Sequence, residues 1–347
     1  MKNITLTQVA VRAGVSLSTV SKVLNGTEKM SPETTARIMQ AAEELGYKPN
    51  RAAQYLASKN KSIGIIMPYD PPEVYSQYEA GIQDALREYR GFGFRAELLH
   101  YHRCSGKEEF AECLYSLHGK VQGLLYSFDY EYQRYEALLE AVHIPKISFQ
   151  NTVKPSLGSS VTVDDYAVGR MAAEFLWLCG HGAKTAVIAG DSSFVIHRNN
   201  IKGFRDYIAD KPMQLVRVID SNDDFGRSYE AAETLLQSVP GLSGIFVSTY
   251  TAPAVCACLR DHGALAQVRV IGVDIFDRSA ACLSDGSLSA VIYQNQREQA
   301  RCAFSTLIDR MHDYSGAETV RSIKIKPELI LFSNLDYYYD YHDGKDE

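Results

Sequence analysis

From Ser62 onward the chain repeats one unit: a short run of aliphatic and β-branched residues, then a longer stretch whose apolar residues recur at helical spacing. The runs predict strands over 63–67, 96–100, 123–126, 146–149 and 161–163, then 186–189, 215–219, 244–247, 270–273 and 290–293. A helix is expected over 78–89, where Ile82, Ala85, Leu86 and Tyr89 share one face. Strands separated by helices can pair only in parallel, through crossovers, so the fold class of this part is α/β. Ten such units exceed what one sheet comfortably holds, and two lobes are expected.

The first fifty residues follow a different grammar. Thr5 and Gln8 form a capping-box pattern opening a helix whose Leu6, Val9, Ala10 and Ala13 lie on one face, with Gly14 able to stop it. Ser16 is placed to cap a second helix with Val20, Val23 and Leu24 as its apolar stripe. Ser31-Pro32-Glu33 starts a third: an N-cap, proline at the first helical position, and an acid that complements the helix dipole. Ile38, Ala41, Ala42 and Leu45 form its inner face, and Gly46 ends it. Three short helices, the first two joined by a glycine-containing turn, describe a helix-turn-helix. Leu17, Ser18, Thr19, Ser21, Lys22 and Asn25 stand on the outer side of its second helix, where short polar groups and one cation suit base edges and phosphates better than a core.

Charge points the same way. Residues 1–62 carry nine Lys/Arg and four acids, a local +5, which leaves −11 for the rest of a chain whose net charge is −6. A basic head on an acidic body suits contact with phosphate at one end only. The seven cysteines show no metal-ligand spacing, and Cys256 and Cys258 stand one residue apart rather than two. Reduced thiols in a cytoplasmic protein are expected, without a metal or a cofactor. The polar opening of the chain does not read as a secretory leader, and no apolar run approaches the roughly 20 residues of a membrane span.

Val9-Ala10, Ala13-Gly14-Val15-Ser16, Thr19-Val20-Ser21, Val23-Leu24-Asn25 and Leu45-Gly46-Tyr47-Lys48-Pro49-Asn50-Arg51-Ala52-Ala53 closely resemble the head of the lactose-repressor (LacI/GalR) family. The resemblance implies an all-α helix-turn-helix DNA-binding head over 1–48 and a hinge over 49–61. It also implies a two-lobed body over 62–340 of the type I periplasmic-binding-protein kind, holding effector and dimer partner. The first lobe would comprise about 62–159 and 293–322, the second about 160–292 and 323–340. Operator contacts are expected from Thr5, Leu6, Ser16, Leu17, Ser18, Thr19, Ser21, Lys22, Asn25, Tyr47, Asn50, Arg51 and Ala53. A hinge under three turns long is marginal alone. By resemblance it folds on DNA beside its twin, with Leu56 as the wedge at the central step of the minor groove, where unstacking is offset by contacts that bending permits.

For the body the resemblance is looser. It places Arg198 as a donor to ligand oxygens, Asp274 as an acceptor from ligand hydroxyls, and Gln294 as the residue that closes the pocket. Phe225 would stack on a sugar face, and Asp129 and Tyr69 follow strands of the first lobe. Where the family shows an Asn-Asp pair this chain reads Ser248-Thr249-Tyr250-Thr251; Thr249 can still hydrogen-bond, but a common sugar is not implied. The expected partners are a pseudo-palindromic double-stranded operator, a carbohydrate effector and a second copy of the chain, with induction favoured over corepression. A regulator answering to a nucleobase, or a solute-binding protein without a DNA role, stays open as an alternative. No catalytic constellation is present: the nine histidines are dispersed, and Val187-Ile188-Ala189-Gly190-Asp191 lacks the spaced glycines of a dinucleotide loop.

Overall fold

The computed structural model describes residues 4–24, 30–47, 61–102, 106–128, 132–180, 183–312 and 320–339. Asn25, Asn50, Arg51, Ala53, Leu56 and Asp129, with nearly all of the expected hinge, lie outside the described residues.

The head consists of α1 (Leu6–Ala13), α2 (Leu17–Leu24) and α3 (Pro32–Leu45). Its boundaries are set by local chemistry. The Thr5 backbone N–H donates to Gln8 Oε1 at 2.8 Å, which is half of the capping box; the Thr5 hydroxyl turns to the same oxygen instead of taking the Gln8 amide. Gly14 stops α1 in the left-handed conformation, φ 65°. Ser16 Oγ accepts from the Thr19 N–H at 3.0 Å and Ser31 Oγ from Thr34 at 3.2 Å, so α2 and α3 each start on a hydroxyl. Val9, Val20 and Ile38 meet at the centre of the bundle, wholly buried, with Ala10, Ala13, Val23, Ala41 and Ala42 around them. So small a core tolerates no charge at those positions, which leaves the polar residues of α2 outside.

The body holds two six-stranded sheets. The first contains β1 (Ser62–Pro68), β2 (Arg95–Tyr101), β3 (Gly123–Tyr126), β4 (Lys146–Phe149), β5 (Ser159–Val163) and, much later in the chain, β11 (Ser322–Ile325). The second contains β6 (Lys184–Ala189), β7 (Gln214–Asp220), β8 (Gly244–Val247), β9 (Arg269–Val273), β10 (Ala290–Tyr293) and β12 (Glu328–Ile330). Spatial orders are β11-β5-β4-β3-β1-β2 and β12-β10-β9-β8-β6-β7. The pairings are parallel except that of β10 with β12. Both sheets are covered on two faces, which is why their strands read as continuous apolar runs. Along β1, Ile63 and Ile65 pack beneath α4 (Pro72–Tyr89) and α12 (Gln296–Met311), while Ile66 joins Tyr126 and Phe110 on the opposite side. α5 (Gly106–Leu117) and α6 (Glu136–Glu140) lie on that second face. In the other lobe α7 (Asp165–Leu178) and α8 (Val195–Ile208) cover one face, and α9 (Phe225–Ser238), α10 (Ala252–Asp261) and α11 (Asp277–Ser284) the other.

All ten expected strands are present, and three boundaries differ from expectation. β5 pairs with β4 as far as Phe149 with Val161, so the first lobe continues to Val163 rather than ending near 159. β11 pairs with β5, so the return to the second lobe follows Ile325 rather than 322. The two late strands β11 and β12 are short and lie at sheet edges; β11 alternates and is partly exposed, and β12 is only three residues long. The helix expected over 78–89 begins at Pro72, since proline is tolerated in a first turn. α7 and α8 cross with their backbones in close contact: a Cβ at Gly169 would stand 1.8 Å from the Asn200 carbonyl oxygen, and one at Gly203 2.1 Å from that of Tyr166.

Candidate functional site

Two sites are built by these elements. On the head, Leu17 opens α2 with 49% of its surface exposed, and Ser16 and Ser18 beside it are exposed as well. Thr19, Ser21 and Lys22 are half-buried, as are Leu6 and Tyr47 against the edge of the bundle core, and Thr5 is exposed at the start of α1. Lys22 follows Ser18 by four residues and so lies on the same side of α2.

The second site is a cleft between the lobes, about 790 Å³ including its open mouth, at the carboxyl ends of the strands where ligands of open α/β sheets sit. The first lobe contributes Tyr75 and Tyr78 from α4 and Gln150 after β4; the second contributes His197, Asp223, Ser248, Thr249, Tyr250 and Asp274. Val163, Asp165, Gln294, Gln296 and Gln299 come from the segments that cross between lobes. The backbone is bent to fit. Among the described residues five non-glycine positions have positive φ, and Gln150, Asn222, Asp223, Asp274 and Asn295 all follow strands at this end of the sheets. Strain gathered in one place marks a functional region.

Asp274, φ 66° and 5% exposed, is the best-anchored group. Gln294 donates to its Oδ1 at 2.9 Å and Gln296 donates to the same oxygen. Burial pushes its carboxyl up to about 6; the two amides pull it down and the charge of Asp223 pushes it up again. Asp165 opens α7 after Asp164, whose side chain caps the helix by accepting from Ala167 at 3.1 Å. Burial raises the Asp165 carboxyl to about 7, against the pull of Lys324 and a bond from Asn199, with Asp164 adding to the rise. Tyr78 lies between these two aspartates electrically: burial first, then both negative charges, hold its hydroxyl protonated. Thr249 donates to Asp223 Oδ1 at 2.7 Å and the Tyr250 hydroxyl to the Asp223 carbonyl at 2.8 Å, which fixes that loop.

The structure brings Asp274, Gln294 and Thr249 together in the cleft and leaves three expected residues outside it. Arg198 is exposed on α8 and its guanidinium donates to the Ser193 carbonyl. Its neighbour His197 takes the inward position, Nδ1 3.3 Å from Ser248 Oγ, because one residue along a helix turns the side chain by about 100°. Phe225 stands behind Tyr250, edge to face at 5.5 Å, with the Arg278 guanidinium 5.0 Å over its ring. Tyr69 is exposed beside His100 and His102. Asp165, Gln296, Gln299 and His197 were not singled out by sequence. Gln296 and Gln299 carried a usable signal: two amides three apart on the helix face that continues as Ala300, Ala303, Phe304 and Leu307.

Comparison with known proteins agrees with both halves. Residues 5–50 match bacterial regulatory proteins of the lacI family, and residues 137–312, just over half of the chain, match the periplasmic binding protein domain. Catabolite control protein A of Priestia megaterium is 27% identical over 252 residues, 71% of this chain and 74% of that one. The HTH-type transcriptional regulator CelR of Thermobifida fusca is 28% identical over 343 residues, covering 94% and 96%. The solved structure of a transcriptional regulator CelR–cellobiose complex superposes with a TM-score of 0.65 at 24% identity, over 95% of this chain and 99% of the other. Helical head and two-lobed body thus both match the same plan, and the chain belongs to the lacI family of bacterial regulatory proteins, with a periplasmic binding protein domain as its body.

Proposed function

We propose that the chain is a cytoplasmic transcription repressor that grips a pseudo-palindromic operator as a homodimer and yields it when a small polyhydroxy effector enters the cleft. The observation that carries this reading is the pairing, in one chain, of an exposed polar start of α2 on a helix-turn-helix with an interlobe cleft whose walls are hydrogen-bonding side chains. Thr5, Leu6, Ser16, Ser18, Thr19, Ser21, Asn25 and Tyr47 face base edges and backbone, Leu17 meets a thymine methyl, and Lys22 meets phosphate. Asn50, Arg51 and Ala53 hold the hinge against the minor groove while Leu56 wedges the central step. Asp274, Gln294 and Thr249 hold the effector. A sugar fits the cellobiose bound by the CelR relative of known structure.

Control follows from linkage: an effector bound better by one lobe arrangement biases the dimer toward it, and DNA alters effector affinity by the same factor. In vitro selection with the full-length protein on random duplexes tests the DNA half. Enrichment of two inverted half-sites about one helical turn apart is expected. Recovery of sequences no better bound than the starting pool would overturn it.

A further inference from the structure

We propose that Cys256 and Cys282 are a redox-active pair: a hydroperoxide oxidises Cys282, and Cys256 then closes a disulfide that ties α10 to α11. The inference is independent of what the cleft binds.

The two residues are far apart in sequence and neighbours in the fold. Cys256, on α10, is wholly buried in one apolar cluster with Ala280, Leu283 and Leu288. Cys282, on α11, packs against the same cluster and is partly exposed. Ser287 joins them. Cys256 Sγ donates to its carbonyl at 3.3 Å, while the Ser287 hydroxyl at 3.4 Å and the Leu288 N–H at 2.9 Å both donate to the Cys282 carbonyl. The turn is anchored to α10 as well: Asp285 accepts from the Ser287 N–H at 2.8 Å and from Arg260 at 2.5 Å. The Cys282 sulfur thereby stands within hydrogen-bonding reach of the Cys256 thiol.

The chemistry of the pair is asymmetric. The Cys256 thiol has one hydrogen and two acceptors in reach, the Ser287 carbonyl and the Cys282 sulfur. The bond from Cys256 pulls the Cys282 thiol below the usual thiol range; burial and Asp285 oppose this, Ser287 and Arg260 support it. The same contact, together with burial, pushes Cys256 up. Elsewhere Cys113, Cys179, Cys258 and Cys302 are all pushed up, with burial as the main cause. Cys282 thus combines thiolate character with access to solvent, and a buried thiol waits behind it, the arrangement of an attacking and a resolving cysteine.

With hydrogen peroxide, the Cys282 thiolate attacks one oxygen. The S–O bond forms, the O–O bond breaks, and the departing hydroxide takes a proton to become water. Cys256 then attacks the sulfenic sulfur: the S–S bond forms, the S–O bond breaks, and hydroxide leaves with the Cys256 proton as a second water. Two electrons pass from the sulfur pair to the peroxide. α10 follows Thr249 and Tyr250, and α11 follows Asp274, so the new bond joins two helices that carry loops of the cleft.

The test treats reduced full-length protein with hydrogen peroxide at pH 7.5, blocks remaining thiols with N-ethylmaleimide and maps peptides by non-reducing mass spectrometry. A peptide pair joined through Cys256 and Cys282 is expected, two hydrogens lighter than its reduced halves and separated by dithiothreitol. Peroxide should consume Cys282 about 5- to 10-fold faster than the exposed Cys179, the advantage of a larger thiolate fraction. In Cys256→Ser, whose hydroxyl can keep the bond to Ser287, Cys282 should stop at a sulfenic acid that dimedone captures. In Cys282→Ser, Cys256 should stay reduced. Both variants are checked for a cooperative melting transition, and the wild-type map decides alone if either fails it. Consumption of Cys282 no faster than Cys179, or sulfenic acid in the wild type without the linked peptide, overturns the pair.

Discussion

The Gln294 side chain donates to Oδ1 of Asp274 across 2.9 Å, tying the end of β10 to the end of β9 at the point where the chain crosses back to the first lobe. Gln296, two residues on, donates to the same oxygen, so two amides orient the carboxylate. Replacing Asp274 by alanine should weaken effector binding by about 10- to 100-fold, as expected for a lost hydrogen bond to a charged group of about 1.5–3 kcal/mol. Calorimetric titration of the variant measures it. An affinity equal to wild type would remove Asp274 from the site.

Two buried aspartates with raised pKa values give the effector-free protein a predictable response to pH. Asp165 stands at about 7 and Asp274 at about 6, both from an ordinary 3.8, and burial is the main cause in each. Between those limits the folded state holds protons that the unfolded chain has released, so unfolding free energy falls as pH rises. The loss begins near pH 4 and is complete above the folded pKa values. Asp164 and Lys324 act on Asp165 with opposite sign, Asp223 acts on Asp274, and Tyr78 stays protonated throughout. Melting curves from pH 5 to 8 should show a falling midpoint, and Asp165→Asn should flatten it and exceed wild type at pH 8. A midpoint that rises over this interval would contradict the assignment.

What could be read from sequence divides along the range of the physics. Thr5, Gly14, Ser16 and Ser31 act on amides within four residues, so the head's helix boundaries are visible in the chain itself. Asp274, Gln294 and Thr249 were picked out through the family resemblance, and the structure places all three after strands, lining one cleft. Arg198 lies on the exposed side of α8 because its direction depends on the phase of that helix, which is set by Gly203 and the crossing with α7 far away in sequence. Asp165 was hidden for a related reason, sitting at a helix start where a polar residue is ordinary, while Gln296 and Gln299 were visible only as two amides on the buried face of their helix. Only the folded arrangement of the two lobes brings them to a common space.

The crossing of α7 and α8 makes a stability prediction of its own. Gly169→Ala would bring a methyl group to 1.8 Å from the Asn200 carbonyl oxygen, and backbone cannot yield as a side chain can. The helices must separate, loosening the packing of Val168, Ala172, Ile201 and Phe204, which are buried together. A loss of about 1–3 kcal/mol, the usual cost of overpacking, is expected in urea denaturation. An unchanged midpoint would mean that the two helices do not pack this closely.

The last prediction concerns the head. Lys22 lies in the final turn of α2, one turn beyond Ser18 on the same side, and its half-buried stem runs along the bundle. In the proposed complex its ammonium would meet the DNA backbone beside the groove that Ser18 would enter. A phosphate contact carries no sequence information, so Lys22→Ala should weaken operator and random duplexes alike and lower the salt-dependence slope by about 1. Ser18→Ala should act in the opposite manner, leaving the slope in place and relaxing preference at one base pair of each half-site. Binding isotherms on both duplexes across a salt series separate the two. If Lys22→Ala altered base preference at constant slope, the lysine would be a reader of base edges, and α2 would have to enter the groove about one turn deeper than its exposed start implies.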